Sequence, residues 1–165
     1  MSFPKQERAG ANGSLLVVNM RGIVNTRTPV RKTLEQLSIA HRFNATIVPD
    51  NEAYVGMLNS AKEHVAWCKL DASTASKLLK ARSEKSTGRR FKESELQGNG
   101  FQSFDDAARA FETGSASLKN VEGMRPFFRL SPPKGGFKRS TRRQFNQGGV
   151  LGLNEELPKL LDKML

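Results

Sequence analysis

The period of the apolar positions changes along the chain, and each change marks an element. Residues 15–20, Leu-Leu-Val-Val-Asn-Met, are β-branched and long apolar side chains in one run, closed by Gly22. As a strand they send Leu16, Val18 and Met20 to one face and Leu15 and Val17 to the other. Apolar residues on both faces suit a central strand. Thr28-Pro29 then opens a helix, with Thr28 as cap and Pro29 in the first turn. Val30, Leu34 and Leu37 recur at the helical period and face the core, while Arg31, Lys32 and Glu35 take the outer face. Residues 43–48 alternate and end at Pro49, which predicts a second strand. Asp50 or Asn51 caps a second helix over residues 52–62, with Ala53, Met57, Leu58 and Ala61 inward. Residues 65–68 form a third strand, so residues 14–70 read as a β-α-β-α-β unit.

Beyond it the pattern loosens. Asp71 or Ser73 caps a helix over residues 74–83, with Ala75, Leu78 and Leu79 inward. Residues 84–100 are polar, basic and glycine-containing, and read as a loop. Ser103 caps a helix over residues 104–112, with Phe104, Ala107, Ala108 and Phe111 inward. Residues 127–130 predict a strand. Residues 131–152 mix proline, glycine and basic residues, which predicts an extended, irregular segment poor in internal contacts. A short helix over residues 155–164 closes the chain, with Pro158 in its first turn. The organisation is thus a core over 14–70, a helical insertion over 71–124 and a basic extension with a terminal helix over 125–165.

Charge changes the picture most. Among 165 residues, 27 Lys and Arg face 16 acids, a net charge of +11. That exceeds the roughly 2–8 charges a small domain needs for solubility. It is also concentrated: residues 125–143 hold seven basic residues and no acid. The readings are nucleic acid, an anionic membrane surface, or solubility alone, and nucleic acid is favoured. A membrane-surface binder needs a basic amphipathic helix, whereas this density lies in Gly/Pro-rich segments. No apolar run reaches membrane-spanning length, and the polar start lacks a signal-peptide core, which points to a cytosolic protein.

Catalytic chemistry finds few footholds. A single cysteine, Cys68, cannot form an internal disulfide, and with only His41 and His64 beside it a Cys/His zinc site is excluded. Cys68 reads as an unreactive strand residue. There is no phosphate-binding loop: Pro133-Lys134-Gly135-Gly136 lacks the strand-to-helix frame. No nucleophile or acid can be placed beside either histidine. Asp105 and Asp106 could begin a metal site, but two acids in a first turn favour the helix dipole without one. The chain is therefore read as no enzyme, without cofactor, metal or small-molecule substrate.

The basic residues fall into three groups. Arg21, Arg27, Arg31 and Lys32 surround the loop after the first strand and the start of the first helix, itself an anion site. Arg82, Lys85, Arg89, Arg90 and Lys92 form a second group. Arg125, Arg129, Lys134, Lys138, Arg139, Arg142 and Arg143 form the third, interleaved with Phe127, Phe128, Phe137 and Phe145. Cations neutralise phosphates and rings stack on unpaired bases. One of Phe127 and Phe128 should anchor the core, since strand alternation sends them apart.

At this point a resemblance emerges. Met20-Arg21-Gly22-Ile23, Val30-Arg31-Lys32-Thr33-Leu34, Arg42-Phe43-Asn44-Ala45-Thr46-Ile47-Val48, Ala53-Tyr54 with Gly56-Met57, and Val65-Ala66-Trp67 occur in that order. They resemble the large-subunit ribosomal protein L-thirty family, whose eukaryotic counterpart is called L-seven. Pro126-Phe127-Phe128-Arg129-Leu130-Ser131-Pro132-Pro133-Lys134-Gly135-Gly136, followed by Gly148-Gly149, resembles the carboxy-terminal signature of its archaeal and eukaryotic branch. The likeness covers residues 14–82 and 125–165 and is thin between; the short bacterial members correspond to 14–70. Only some 13 residues precede the first strand, which suits the archaeal type. Cys68 stands where members often have glycine, which bears on the turn after the third strand.

The resemblance implies an α+β, ferredoxin-like fold: a three-stranded antiparallel sheet, strand one central, with two helices on one face. It implies a structural constituent of the large ribosomal subunit, cytoplasmic, bound to large-subunit ribosomal RNA beside neighbouring ribosomal proteins, with no enzymatic activity. By position, contacts would include Arg21, Gly22, Arg27, Arg31, Lys32, Arg42, Asn44, Tyr54, Gly56 and Asn59, and Gly135 and Gly136 in the signature block. The rival reading is a free-standing RNA-processing or modification factor.

Overall fold

The structure, a computed structural model, describes residues 13–165. The polar start read above as no signal peptide, residues 1–12, lies outside the described residues. The core unit consists of β1 (Ser14–Asn19), α1 (Thr28–Gln36), β2 (Asn44–Pro49), α2 (Glu52–Ser60) and β3 (Val65–Lys69). There follow α3 (Ala72–Arg82), α4 (Glu93–Gln97), α5 (Phe104–Glu112), β4 (Phe128–Arg129), β5 (Ser140–Gln144), β6 (Gly149–Leu153) and α6 (Leu157–Asp162). No helix among the described residues is long and apolar enough to cross a membrane.

β1 lies between β2 and β3 and is antiparallel to both. Its two apolar faces divide as the alternation predicts. Leu15 and Val17 pack with Leu34, Leu37, Val55 and Leu58 of α1 and α2, while Leu16, Val18 and Met20 face a second core. That second core holds Ala75, Leu78 and Leu79 of α3, Phe104, Ala107, Ala108 and Phe111 of α5, and Leu157 and Leu161 of α6. The sheet is thus covered on both faces.

Several expectations need correction. The sheet has six strands, in the order β4-β2-β1-β3-β6-β5, not three. β4 adds to the free edge of β2, and β6 adds parallel to β3. The segment 131–152 is therefore not irregular throughout: residues 140–144 and 149–153 form two parallel strands. Their glycines hid them, because Gly149 and Gly152 serve close packing rather than a turn. The register steps from Ser140 opposite Gly149 to Gln144 opposite Leu151, so three residues of β5 bulge against Val150. Residues 84–100 are not only loop. Glu84 bridges Arg90, Lys85 bridges Met124, and α4 follows. α1 is capped by position at Arg27, not Thr28. Ala53 is exposed and Val55 takes its place inside. α3 begins at Ala72, with Asp71 before it but no side-chain cap. Asn51 and Ser103 do cap α2 and α5, accepting from the amides of Tyr54 and Asp106. Cys68 lies inside β3, facing the second core, so the turn falls beyond it at Leu70-Asp71.

Two glycines give a prediction of opposite signs. A Cβ on Gly149 collides with the Arg143 carbonyl, a backbone atom that cannot swing away. Gly149→Ala is expected to cost roughly 1–3 kcal/mol, as overpacking does. Gly56 sits in the middle of α2 with open space where a Cβ would be. Gly56→Ala is expected to stabilise by about 0.5–1 kcal/mol. Urea midpoints of the two variants, with unchanged slopes, check both signs.

Candidate nucleic-acid interface

The end of the sheet where β1 leaves and β2 enters is organised by Asn19. Its side chain is fully buried. Nδ2 donates to the Ile39 carbonyl at 2.7 Å, and Oδ1 accepts from the amides of Gly22 at 2.8 Å and Arg21 at 3.1 Å. Gly22 adopts φ +78°, and a Cβ there would already touch Cβ of Arg42 at 3.5 Å. Arg42 Nε donates to the Met20 carbonyl at 3.0 Å, and its guanidinium lies 4.6 Å over the Phe43 ring. Phe43 is itself in the left-handed region, φ +64°, with its amide on the Asn19 carbonyl. Asn44 follows, buried, and pairs with exposed Arg129 across β2 and β4. The structure thus brings Arg21, Gly22, Arg42, Asn44 and Arg129 to one end of the sheet.

Arg27, exposed, occupies the N-cap of α1, whose first turn has neither a side-chain cap nor an acid. Arg31 and Lys32 fall in the second turn, one step later than Thr28 capping implied. Arg31 pairs with Glu35 at 3.1 Å, both half-exposed. A cation at the positive end of a helix is unfavourable by a few tenths to about 1 kcal/mol, and a phosphate there reverses the sign. Arg27 carries that argument, and exposed Lys32 follows in the second turn. Thr26 Oγ1 meets His64 Nε2 at 2.9 Å, tying the loop to the start of β3. Burial, then neighbouring Arg21, hold the His64 pKa below its usual value, so the ring stays neutral at pH 7. His41 is exposed in the turn before β2.

The second group is split by internal pairing. Arg82 donates to Ser131 Oγ at 2.8 Å and to the Met164 carbonyl at 3.5 Å, holding the C-terminal segment. Arg90 donates to the Ala81 carbonyl at 3.3 Å. Lys85 pairs with Glu95, whose carboxyl is held below its usual range by that lysine and by the Lys92 amide. Arg89 and Lys92 are exposed.

In the third group, Arg125 pairs with Glu84 at 3.0 Å, donates to the Ser86 carbonyl and lies 5.8 Å over Phe127. Phe128 is the core anchor, fully buried. Phe137 stacks on Phe43 at 6.0 Å, and Arg139 lies 4.9 Å over Phe145. Lys134, Gly135, Gly136 and Lys138 are exposed, and the β5 bulge holds exposed Arg142 and Arg143. On α2, Gly56 and Asn59 share an exposed face, three residues apart, while Tyr54 packs against the first core. Sequence reading missed Lys159 and Lys163, which lie beside this group. Glu155, Glu156 and Asp162 gave their segment a net negative count, but Glu156 and Asp162 are taken by Arg139 and Lys77.

The titratable groups elsewhere are structural. Asp105 accepts from Ser76 and Lys80, which hold its carboxyl below the usual range. No acid, His and Cys cluster fit for a metal occurs among the described residues. Burial pushes the Cys68 thiol up to about 12. At pH 8 its alkylation by iodoacetamide is expected to be slower than in urea by roughly a thousandfold, following the thiolate fraction. Comparable rates in both conditions count against a closed second core.

The described residues make up a cationic α+β protein whose exposed arginines and lysines are its distinctive chemistry. Residues 15–65 match the family model described as ribosomal protein L30p/L7e. The chain is 35% identical over 153 residues to the large ribosomal subunit protein uL30 of Cenarchaeum symbiosum, covering 93% of this chain and 99% of that one. It is 36% identical to the same-named protein of Korarchaeum cryptofilum, over 92% and 94% of the two chains. That of Methanocorpusculum labreanum is 35% identical over 90% and 97%. The chain belongs to the ribosomal protein L30p/L7e family, in the company of archaeal large-subunit members, and is a ribosomal protein rather than an enzyme.

Proposed function

We propose that this protein is a structural constituent of the large ribosomal subunit in the cytoplasm. In this reading it binds large-subunit ribosomal RNA, stabilises its fold, and lies beside other ribosomal proteins. The observation that supports this best is the convergence of Arg21, Arg42 and Arg129 at one sheet end, with Arg27 at the uncapped start of α1. The unit 14–70 acts as the RNA-binding core, and residues 125–165 extend the contact along β5 with Arg142 and Arg143. Lys134, Gly135, Gly136 and Lys138 approach backbone phosphates closely, because glycine leaves no side chain in the way. Arg82, Arg90 and Arg125 act chiefly by holding this surface in shape through their internal partners.

The relatives bear the name of a large-subunit protein, which favours this over a free-standing processing factor. The two readings differ in persistence. The wild-type chain is expected to sediment with large subunits through a high-salt sucrose cushion, and Arg27→Glu with Lys32→Glu to remain folded yet be depleted there several-fold. A wild-type chain that stays at the top of the gradient overturns the structural role. A double variant that assembles normally removes the α1 start from the interface.

A further inference from the structure

The cleft between residues 136–139 and α6 is the feature the three groups do not explain. It is a half-open cleft of about 330 Å³. That is at the low end of small-ligand sites, roughly 300–1,000 Å³. Phe137, Val150 and Leu160 form its apolar wall, and Lys138, Lys159 and Lys163 surround it. Its acid, Glu156, is engaged by Arg139 at 3.3 Å. The three lysines have no ion-pair partner among the described residues.

The wall is held in place beforehand. Phe137 stacks on Phe43, which in turn lies under the Arg42 guanidinium. Leu157 and Leu161 anchor α6 in the second core, and Asn154 fixes its entry by accepting from the Glu156 amide at 2.9 Å. An aromatic and aliphatic wall beside three ammonium groups matches a planar ring joined to a phosphate. An acidic peptide would satisfy the lysines and leave the ring of Phe137 unused. A duplex cannot enter a space of this size.

We propose that this cleft holds one unpaired nucleotide of RNA, turned out of a bulge or loop, with its base against Phe137 and its phosphate among Lys138, Lys159 and Lys163. The inference rests on the RNA-binding reading and makes it specific: the extension selects RNA with an extruded base.

The test uses the full chain and two hairpin RNAs of equal length, one fully paired and one carrying a single bulged 2-aminopurine. The bulged hairpin is expected to bind about 5- to 100-fold tighter, the range a stacked base supplies, with a change in 2-aminopurine fluorescence. Lys159→Ala with Lys163→Ala, both exposed and so harmless to folding, should abolish that preference and leave binding to the paired hairpin nearly unchanged. Phe137→Leu, which keeps apolar volume but removes the ring, should reduce the preference and the fluorescence change. Equal affinity for the two hairpins with silent 2-aminopurine overturns the cleft and spares the broader RNA reading. Binding to neither hairpin at moderate salt overturns both. Hexaglutamate binding that the double lysine variant abolishes, without any bulge preference, overturns the nucleotide and assigns the cleft to an acidic protein segment.

Discussion

Replacing both Arg142 and Arg143 by alanine is expected to flatten the salt dependence of RNA binding by about 1.4–1.8 in log–log slope, 0.7–0.9 for each phosphate no longer neutralised. At 0.15 M salt the same change weakens binding by roughly 14- to 30-fold. The β5 bulge is the reason to expect both side chains to count. In a regular strand two successive residues point to opposite faces, and one of the pair would be wasted. Here three residues of β5 stand against Val150 alone, and both arginines are exposed. Neither forms an ion pair among the described residues, so their removal leaves no orphaned acid and should spare stability. Filter binding to large-subunit RNA over a potassium chloride series measures the slope. A decrease half as large means that one arginine faces solvent. An unchanged slope removes β5 from the interface.

The core unit was legible because its signals are local. Leu15 to Val18 declare a central strand by being apolar on both faces, and both faces are covered. Asn51 and Ser103 were readable as caps because a short polar acceptor before a helix has few other uses. β4 was legible as a strand over residues 127–130, but its place beside β2 and the strand β6 were not, since each depends on an edge supplied from far away in sequence: Phe128 pairs with Ala45, and Gly152 with Ala66. β6 was further hidden by two glycines, which in isolation signal a turn. Only the approach of the Arg143 carbonyl and the Gln144 side chain shows why nothing larger fits there.

The site divides along the same line. Exposed cations such as Arg27, Lys32, Arg142 and Arg143 were found by counting charge. Counting could not tell them from Arg82 and Arg125, whose guanidiniums hold the protein together, because Ser131 and Glu84 are 49 and 41 residues away. The same error in reverse concealed Lys159 and Lys163. Their nearby acids are neutralised by Lys77 and Arg139, which no local reading connects to the terminal helix. Phe137 was read among the rings interleaved with the basic residues, and it stacks on Phe43 while lining the cleft.

The residue that couples the fold to the proposed interface most tightly carries no charge. Asn19→Ala is expected to destabilise the protein by about 3 kcal/mol, because it strips partners from the Ile39 carbonyl and from the amides of Gly22 and Arg21, at about 1–3 kcal/mol for each group left buried and unpaired. The Arg21 amide is only partly buried and regains water, so the three contributions do not simply add. The thermal midpoint should fall by roughly 6–12 °C for a chain of this size. Asn19→Leu separates the causes. It fills the volume that alanine vacates but offers no hydrogen bond, so a loss owed to packing is repaired by leucine and a loss owed to the amides is not. The expected result is that leucine does not rescue. The functional consequence follows from the same contacts, since Asn19 sets the turn that presents Arg21 and brings Gly22 against Arg42. At a temperature where Asn19→Ala remains folded, its RNA affinity should still fall several-fold, whereas Leu78→Ala, which empties a fully buried position of α3 at a comparable cost of about 2–5 kcal/mol and touches none of the proposed RNA contacts, should lose far less. Equal losses in the two variants mean that general instability, not the Asn19 turn, governs binding.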